Sequence, residues 1–350
     1  MFAMDEGGAV PAELSGDHPD HPVARVLRER RDSGSRPGQR QDPYRVVLAV
    51  EGGGMRGIIS GAMLTALADM GLQQSFDAVY ALSAGAINVT YFIAGSTWQA
   101  LSVYYDDLVG RSFYNPRRML SGKPVVSIPY VFDEAMDRSN PLDYESALAS
   151  PIELHVITTS VDRVAPRVLA RFASVDELRT ALRASVCLPF AAGPPVDWQG
   201  DLLLDGGILT RHPIIPALAD GCTHLVLIRT RADRVLPAEA GTAQRLTARG
   251  LDRYRKGLGA AYLRTVADHR LLFPNLLAKA RDRAADPYIL DLHCPFGSHR
   301  VSRFTQDRGL LYEGLRVAYR STFASIAGSR PYIHLRPTTV DFPATGPEMP

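Results

Sequence analysis

Val46-Val47-Leu48-Ala49-Val50 is apolar at every position, without the alternation of a half-exposed strand, which predicts a strand buried on both faces. After a glycine-rich turn, apolar positions recur at helical spacing from Ile58 to Met70, and Gly71 offers a C-terminal cap. Phe76 to Leu82 reads as a second buried strand leading into a helix over Ala86 to Ala94, and Trp98 to Val109 as a further helix. Farther along, Ile152 to Thr158 and Thr223 to Ile228 are strand-like, with the helix-like Asp176 to Ala184 between them. Leu202-Leu203-Leu204 and Tyr288 to Leu292 add two short strands, and helical patterns return over 242–272 and 306–326. Strands alternating with helices predict an α/β layered fold with a mainly parallel sheet.

Outside these elements, residues 1–43 are rich in Gly, Pro, Asp and Arg and are expected to form a disordered or loosely ordered tail. The basic run Arg25 to Arg31 within it is expected to be solvated. Residues 329–350 read as an extended, Pro-rich tail, and 44–328 as one continuous domain without repeats or a linker.

Composition narrows the function classes. The 350 residues and 46% hydrophobic content suffice for a sizeable core. Net charge is only +2, and lysine occurs only at Lys123, Lys256 and Lys279, so that arginine supplies nearly all the cations. Neither nucleic acid nor an acidic partner is implied. Cys187, Cys222 and Cys294 are widely spaced and lack CxxC spacing, which argues against a zinc site or a disulfide framework and for a reducing compartment. The N-terminus lacks the apolar stretch of a signal peptide, and no apolar run is long enough to span a bilayer. A cytoplasmic protein is expected.

The chemistry is concentrated in two strand-to-helix turns. In Glu51-Gly52-Gly53-Gly54-Met55-Arg56-Gly57, glycines allow unpaired backbone N–H groups to converge on one point, which suits an anion. Gly52, Gly54 and Gly57 also satisfy the GxGxxG dinucleotide fingerprint, but that reading needs an acidic residue at the end of the next strand. Ser83 stands there instead, and Asp77 lies near the strand's start. Arg56 either orders the turn or adds charge beside a developing oxyanion. The second turn, Ala81-Leu82-Ser83-Ala84-Gly85, has the form of a nucleophile elbow, whose neighbours two residues away must be small; Gly85 meets that demand, and Ala81 less comfortably. One helix and one strand separate the two turns, too little for an α/β-hydrolase arrangement. His155, His212, His224 and His293 carry no local signature of a triad base and read as structural. Asp205 in Leu202-Leu203-Leu204-Asp205-Gly206-Gly207 is the better candidate: a carboxylate at a strand end, able to accept a serine proton directly, although Asp-Gly alone is also a common turn.

Taken together and in this order, the glycine turn, Ser83 in Ala81–Ala86, the segment Ala184–Phe190 ahead of Pro194-Pro195, Asp205-Gly206-Gly207 and Arg211-His212-Pro213 resemble the patatin-like phospholipase family over roughly residues 44–326. The resemblance implies a three-layer patatin-like fold with a mainly parallel central sheet flanked by helices. It implies an oxyanion loop over Gly52, Gly53, Gly54, Met55, Arg56 and Gly57, a Ser83–Asp205 dyad followed by Gly206 and Gly207, and hydrolysis of fatty acyl esters. No metal or organic cofactor is implied. The expected partners are a lipid or acyl-ester substrate and a membrane surface met transiently. The family's elbow usually begins with glycine where this chain has Ala81, which leaves an inactive lipid-binding or scaffolding member as the alternative. The mixed aromatic, basic and apolar stretch Phe113–Leu120 reads as a loop covering the core, with lipid contact as the second reading.

Overall fold

The computed structural model describes residues 20–231, 240–282, 284, 286–295 and 297–328; the expected C-terminal tail lies outside them. The strands are β1 (Val46–Val50), β2 (Ala78–Leu82), β3 (Glu153–Ser160), β4 (Ala165–Leu169), β5 (Val196–Trp198), β6 (Asp201–Asp205), β7 (His224–Arg229) and β8 (Tyr288–His293). The helices are α1 (Pro22–Asp32), α2 (Gly57–Asp69), α3 (Ala84–Ile93), α4 (Thr97–Ser102), α5 (Tyr144–Ala149), α6 (Val175–Ser185), α7 (Ile214–Ala219), α8 (Thr242–Leu251), α9 (Leu258–Arg281) and α10 (Arg308–Ala327). Every element expected from the hydrophobic pattern is found, most within two residues at each end, but α9 runs nine residues past the expected end and the helix expected over Trp98–Val109 leaves α-helical geometry after Ser102, continuing as a wider π-helical turn over Val103–Asp107. The expected helix over 242–272 is two helices, α8 and α9, broken at Gly257, whose φ of +96 favours glycine.

One mixed sheet joins the strands in the order β5-β6-β3-β2-β1-β7-β8, with β4 also paired to β3. The run β3-β2-β1-β7-β8 is parallel, whereas β4, β5 and β6 pair antiparallel. All five residues of β1 are buried, and they alternate between two cores. Val46, Leu48 and Val50 pack with residues of α2, α3 and α10, while Val47 and Ala49 face α7 and α9. Helices therefore cover both faces, giving the three layers expected, as an all-apolar parallel strand requires.

β4, β5, α1, α5 and α7 went unread in the pattern, and α1 corrects the expectation of a loose tail from residue 20 onward, residues 1–19 of that tail lying outside the described residues. His21 caps this helix through Nδ1, and Val23, Ala24, Val26 and Leu27 join the core. The basic run is not wholly solvated either, because Arg30 is 1% exposed. Its guanidinium donates to both carboxylate oxygens of Asp42, to Asp77 Oδ2 at 2.9 Å, and to the carbonyls of Ser75 and Tyr44. Asp77 in turn accepts from Arg40 and from the first amide of β1. Five donors in a planar fork fit this set of acceptors as a lysine could not. Truncation as Arg30→Ala would leave Asp42 and much of Asp77 without their main partner, and should lower stability by about 2–4 kcal/mol, read from urea unfolding.

Candidate active site

The three sequence motifs meet where the parallel strands end at their carboxyl edge. A strand has two edges, and β4 occupies one edge of β3 across Val156–Ser160. On the other edge Ile157 pairs with Leu82 of β2, and the next residue, Thr158, pairs with Asp205 of β6. β2 and β6 thus lie end to end beside β3, running toward each other, and their last residues abut. This juxtaposition brings Ser83 and Asp205 together from 122 positions apart (205 minus 83).

Ser83 adopts φ +54 and ψ −140, a strained conformation for a residue with a side chain. It is held there from two sides. Its amide donates to Ser185 Oγ at 2.8 Å, and Ser185 donates to the Ile157 carbonyl at 2.8 Å. Glycines make the room: a Cβ on Gly85 would stand 2.7 Å from the Glu51 carbonyl oxygen, and one on Gly206 would stand 2.4 Å from that of Ile157. Ala81 is fully buried within β2, and its methyl joins the hydrophobic core on one face of the sheet. Gly207 donates to Asp205 Oδ1 at 2.7 Å, and the Asp205 amide donates to the Cys187 carbonyl at 2.9 Å. The Asp205 Oδ2 atom is buried and finds no partner among the described residues. Ser83 lies close enough to favour the charged carboxylate electrostatically, yet the contact is looser than a formed hydrogen bond. Burial dominates and pushes the Asp205 pKa from 3.8 up to about 6, with Gly207, Ser83 and the charge of Arg303 opposing it.

The glycine turn packs directly on this elbow. A Cβ on Gly52 would lie 2.6 Å from the Leu82 carbonyl oxygen and 2.7 Å from Ser83 Cβ. Gly53 and Gly54 have φ of +153 and +58, which favour glycine, and their amides take no acceptor among the described residues. Met55, expected to share in the anion site, instead donates its amide to the Arg303 carbonyl at 3.1 Å. Thr230 Oγ1 donates to the Gly52 carbonyl at 2.6 Å and accepts from Arg56 Nε at 3.3 Å. Arg56 lies behind Gly53, and its pKa is pushed down to about 9 by burial and then by the charges of Arg231 and Arg303.

Ahead of the turn, buried Glu51 bonds to His212 Nδ1 at 2.7 Å and accepts from the Thr230 amide at 3.2 Å. Burial raises its pKa, but His212 and two arginines outweigh that and leave it below the ordinary carboxylate range. His212 continues to His269 and stacks on Phe273. His155 stacks on Tyr80, His224 packs between Tyr44 and Tyr288, and His293 sits beside Asp291. Among the described residues no histidine lines either cavity at Ser83. The ribose reading fares no better geometrically, since Asp77 is bound by Arg30 and Arg40 at the far end of β2.

Two cavities open on Ser83 and share Gly54, Leu188, Arg303 and Phe304. The narrower (≈ 70 Å³) is apolar, lined by Ile87, Val103, Leu108, Phe113, Val126 and Val131 among others. The wider (≈ 280 Å³) is the more polar of the two and includes Asp205, Arg211, Arg231 and Tyr262. No site role was read for Ser185, Arg211, Arg231 or Arg303 in the sequence. Ser185 and Arg211 lay within motif segments that carry the resemblance, but Arg231 and Arg303 come from separate loops with no local signal.

Residues 48–218 match the family model for patatin-like phospholipases, from within β1 to within α7 and so across both turns and Asp205. The match takes in just under half of the chain and assigns that segment to the patatin-like phospholipase family. It is similar to the uncharacterized protein YjjU of Escherichia coli (strain K12), 30% identical over 192 residues covering 54% of this chain and 52% of that protein. The chain thus spans about half the length of this curated relative. The crystal structure of VipD from Legionella pneumophila is similar with a TM-score of 0.43 at 13% identity, covering 82% of this chain and 67% of that one.

The raised carboxyl of Asp205 has a stability consequence with a definite sign. Because the folded state holds the proton more tightly than the unfolded chain, stability falls as pH rises from 3.8 toward 6, and the loss is complete above that. Asp205→Asn should therefore stabilise the protein by about 1–3 kcal/mol at pH 8, and the gain should vanish near pH 4. Thermal unfolding of both proteins across that range checks it.

Proposed function

We propose that the chain is a serine acyl hydrolase acting on lipid esters, with Ser83 as nucleophile and Asp205 as its base. The observation that carries this reading is the end-to-end meeting of β2 and β6, which sets an unpartnered carboxylate oxygen beside a strained serine at the junction of two cavities. The Asp205 carboxylate takes the Ser83 hydroxyl proton as Oγ attacks the acyl carbonyl carbon. The oxyanion is received by the amides of Gly53 and Gly54, and Arg56 behind them holds the turn and adds positive potential. The acyl chain lies in the apolar cavity and the alcohol portion in the polar one. Asp205 lines only the second, so the proton it gained returns to the leaving alkoxide. Water, deprotonated in turn by Asp205, then attacks the acyl-enzyme; the bond to Ser83 Oγ breaks, the proton passes from Asp205 to Oγ, and the fatty acid is released.

Lipid contact fits the loop that was expected to cover the core. Phe113 and Val126 at its base line the apolar cavity, and Tyr114 bridges to Val126. At its tip Met119 and Leu120 are 69% and 91% exposed, close in sequence to Arg117, Arg118 and Lys123. An apolar tip flanked by cations suits the surface of an anionic bilayer. No described helix is long and apolar enough to cross a membrane.

A fluorophosphonate should label Ser83, and Ser83→Ala should lose at least about three orders of magnitude in p-nitrophenyl ester hydrolysis; unchanged turnover in this variant would refute the reading. Since a protonated Asp205 cannot accept a proton, kcat/KM should fall about tenfold per pH unit below a midpoint near 6. The double variant Met119→Ser/Leu120→Ser should reduce hydrolysis of vesicle phospholipid by about tenfold, and that of a soluble ester far less.

A further inference from the structure

The narrower cavity at Ser83 is walled by packed side chains, so its size is a property of the core. Ala100 comes from α4, Val103 and Tyr104 from the π-helical turn after it, and Val131 from a second π-helical segment, Tyr130–Ser139. Phe113 and Val126 complete this wall. Segments of π-helix are rare and recur at functional sites, and here two of them turn residues onto one cavity. All six side chains are buried and belong to the main hydrophobic core. The wall is therefore backed by close-packed atoms and resists expansion. None of the six lines the wider cavity.

The polar side chains in this wall are paired with each other. Tyr104 Oη donates to Asn88 Oδ1 at 3.0 Å, and Asn88 Nδ2 donates to the Gly57 carbonyl at 2.8 Å. Their hydrogen bonds are met inside the protein, and a plain hydrocarbon chain suits the space they leave.

A volume of ≈ 70 Å³ is small for a fatty acid. One water-sized group needs about 10–15 Å³ on this measure, so the cavity takes about five to seven such groups. A methylene is no smaller than a water molecule. With the carbonyl carbon at Ser83, that space fits about a hexanoyl to octanoyl chain. The wider cavity offers the alcohol about four times as much room, 280 against 70 Å³.

We propose that the protein selects esters of medium-chain aliphatic acids with a bulky alcohol, and that Ala100 and Val103 set the limit on acyl length. This rests on the acyl-hydrolase reading, which places the acyl group in the narrower cavity. A longer chain has to displace packed core residues or stay partly outside. A diacyl membrane lipid is accommodated when the ester at Ser83 carries the shorter chain and the longer one remains in the bilayer.

The test is a series of p-nitrophenyl esters from acetate to decanoate, each below its micellar concentration. For the wild-type protein kcat/KM should rise about fourfold per added methylene as far as hexanoate or octanoate. It should then fall by about tenfold at decanoate. Val103→Ala widens the cavity and should carry the maximum to a longer chain. Ala100→Leu fills it and should lower the ratio of octanoate to butyrate by at least about tenfold. These readouts are ratios, independent of the fraction of folded enzyme. In calorimetry, full-length Ser83→Ala should bind methyl octanoate more than about tenfold more tightly than methyl butyrate, and no less tightly than methyl decanoate. A wild-type rate that keeps rising through decanoate, or a maximum that neither substitution moves, would overturn the length limit and leave the hydrolase reading standing. Chain-selective binding by Ser83→Ala without wild-type hydrolysis of any ester would uphold the cavity assignment and defeat the hydrolase reading instead. Neither hydrolysis nor selective binding would overturn both.

Discussion

The close approach of two backbone turns governs the rest of this structure. The glycine turn after β1 and the serine elbow after β2 lie so near that side chains at Gly52, Gly57 or Gly85 would penetrate their neighbours. A Cβ on Gly57 would come within 2.8 Å of Ala84 Cβ and 2.4 Å of Tyr104 Oη. Each turn is thus shaped by the other, and neither could shift alone. Ser83 keeps its strained conformation because the surrounding contacts over-determine it: Ser185 holds its amide, the glycine turn presses from one side, and the end of β6 closes the other.

Two buried carboxylates flank this junction and meet opposite fates. Glu51 has a histidine partner, nearby arginine charge and a backbone amide, and remains ionised in spite of burial. Asp205 has one amide, a loosely held serine and an empty second oxygen, so desolvation wins and its pKa rises to about 6. The difference lies wholly in their partners, since both are almost fully buried. One carboxylate fastens the glycine turn to the strands beside it. The other is left with the basicity that a proton acceptor working near neutral pH requires.

Much of this was legible along the chain. Apolar runs such as Val46–Val50 are buried on both faces, and only a parallel sheet covered on both sides provides that environment. The turns were legible because their demands on backbone conformation are local, and few residues besides glycine meet them. The first 43 residues were less so: composition marked them as loose, but a partner set scattered over residues 42–77 draws Arg30 inward and folds α1 onto the core. Such a contact leaves no periodic trace.

The sequence by itself determined the layered α/β architecture, the two turns and the residue types at the site, because hydrophobic period and steric demand act between neighbours in the chain. Only the tertiary structure decided that Met55 spends its amide on Arg303, that β6 meets β2 head-on beside β3, and that arginines from three loops share one cavity. These are consequences of strand register and loop convergence, which bring together groups far apart in sequence. Local spacing cannot encode them, because what sets each one is the packing of the whole sheet.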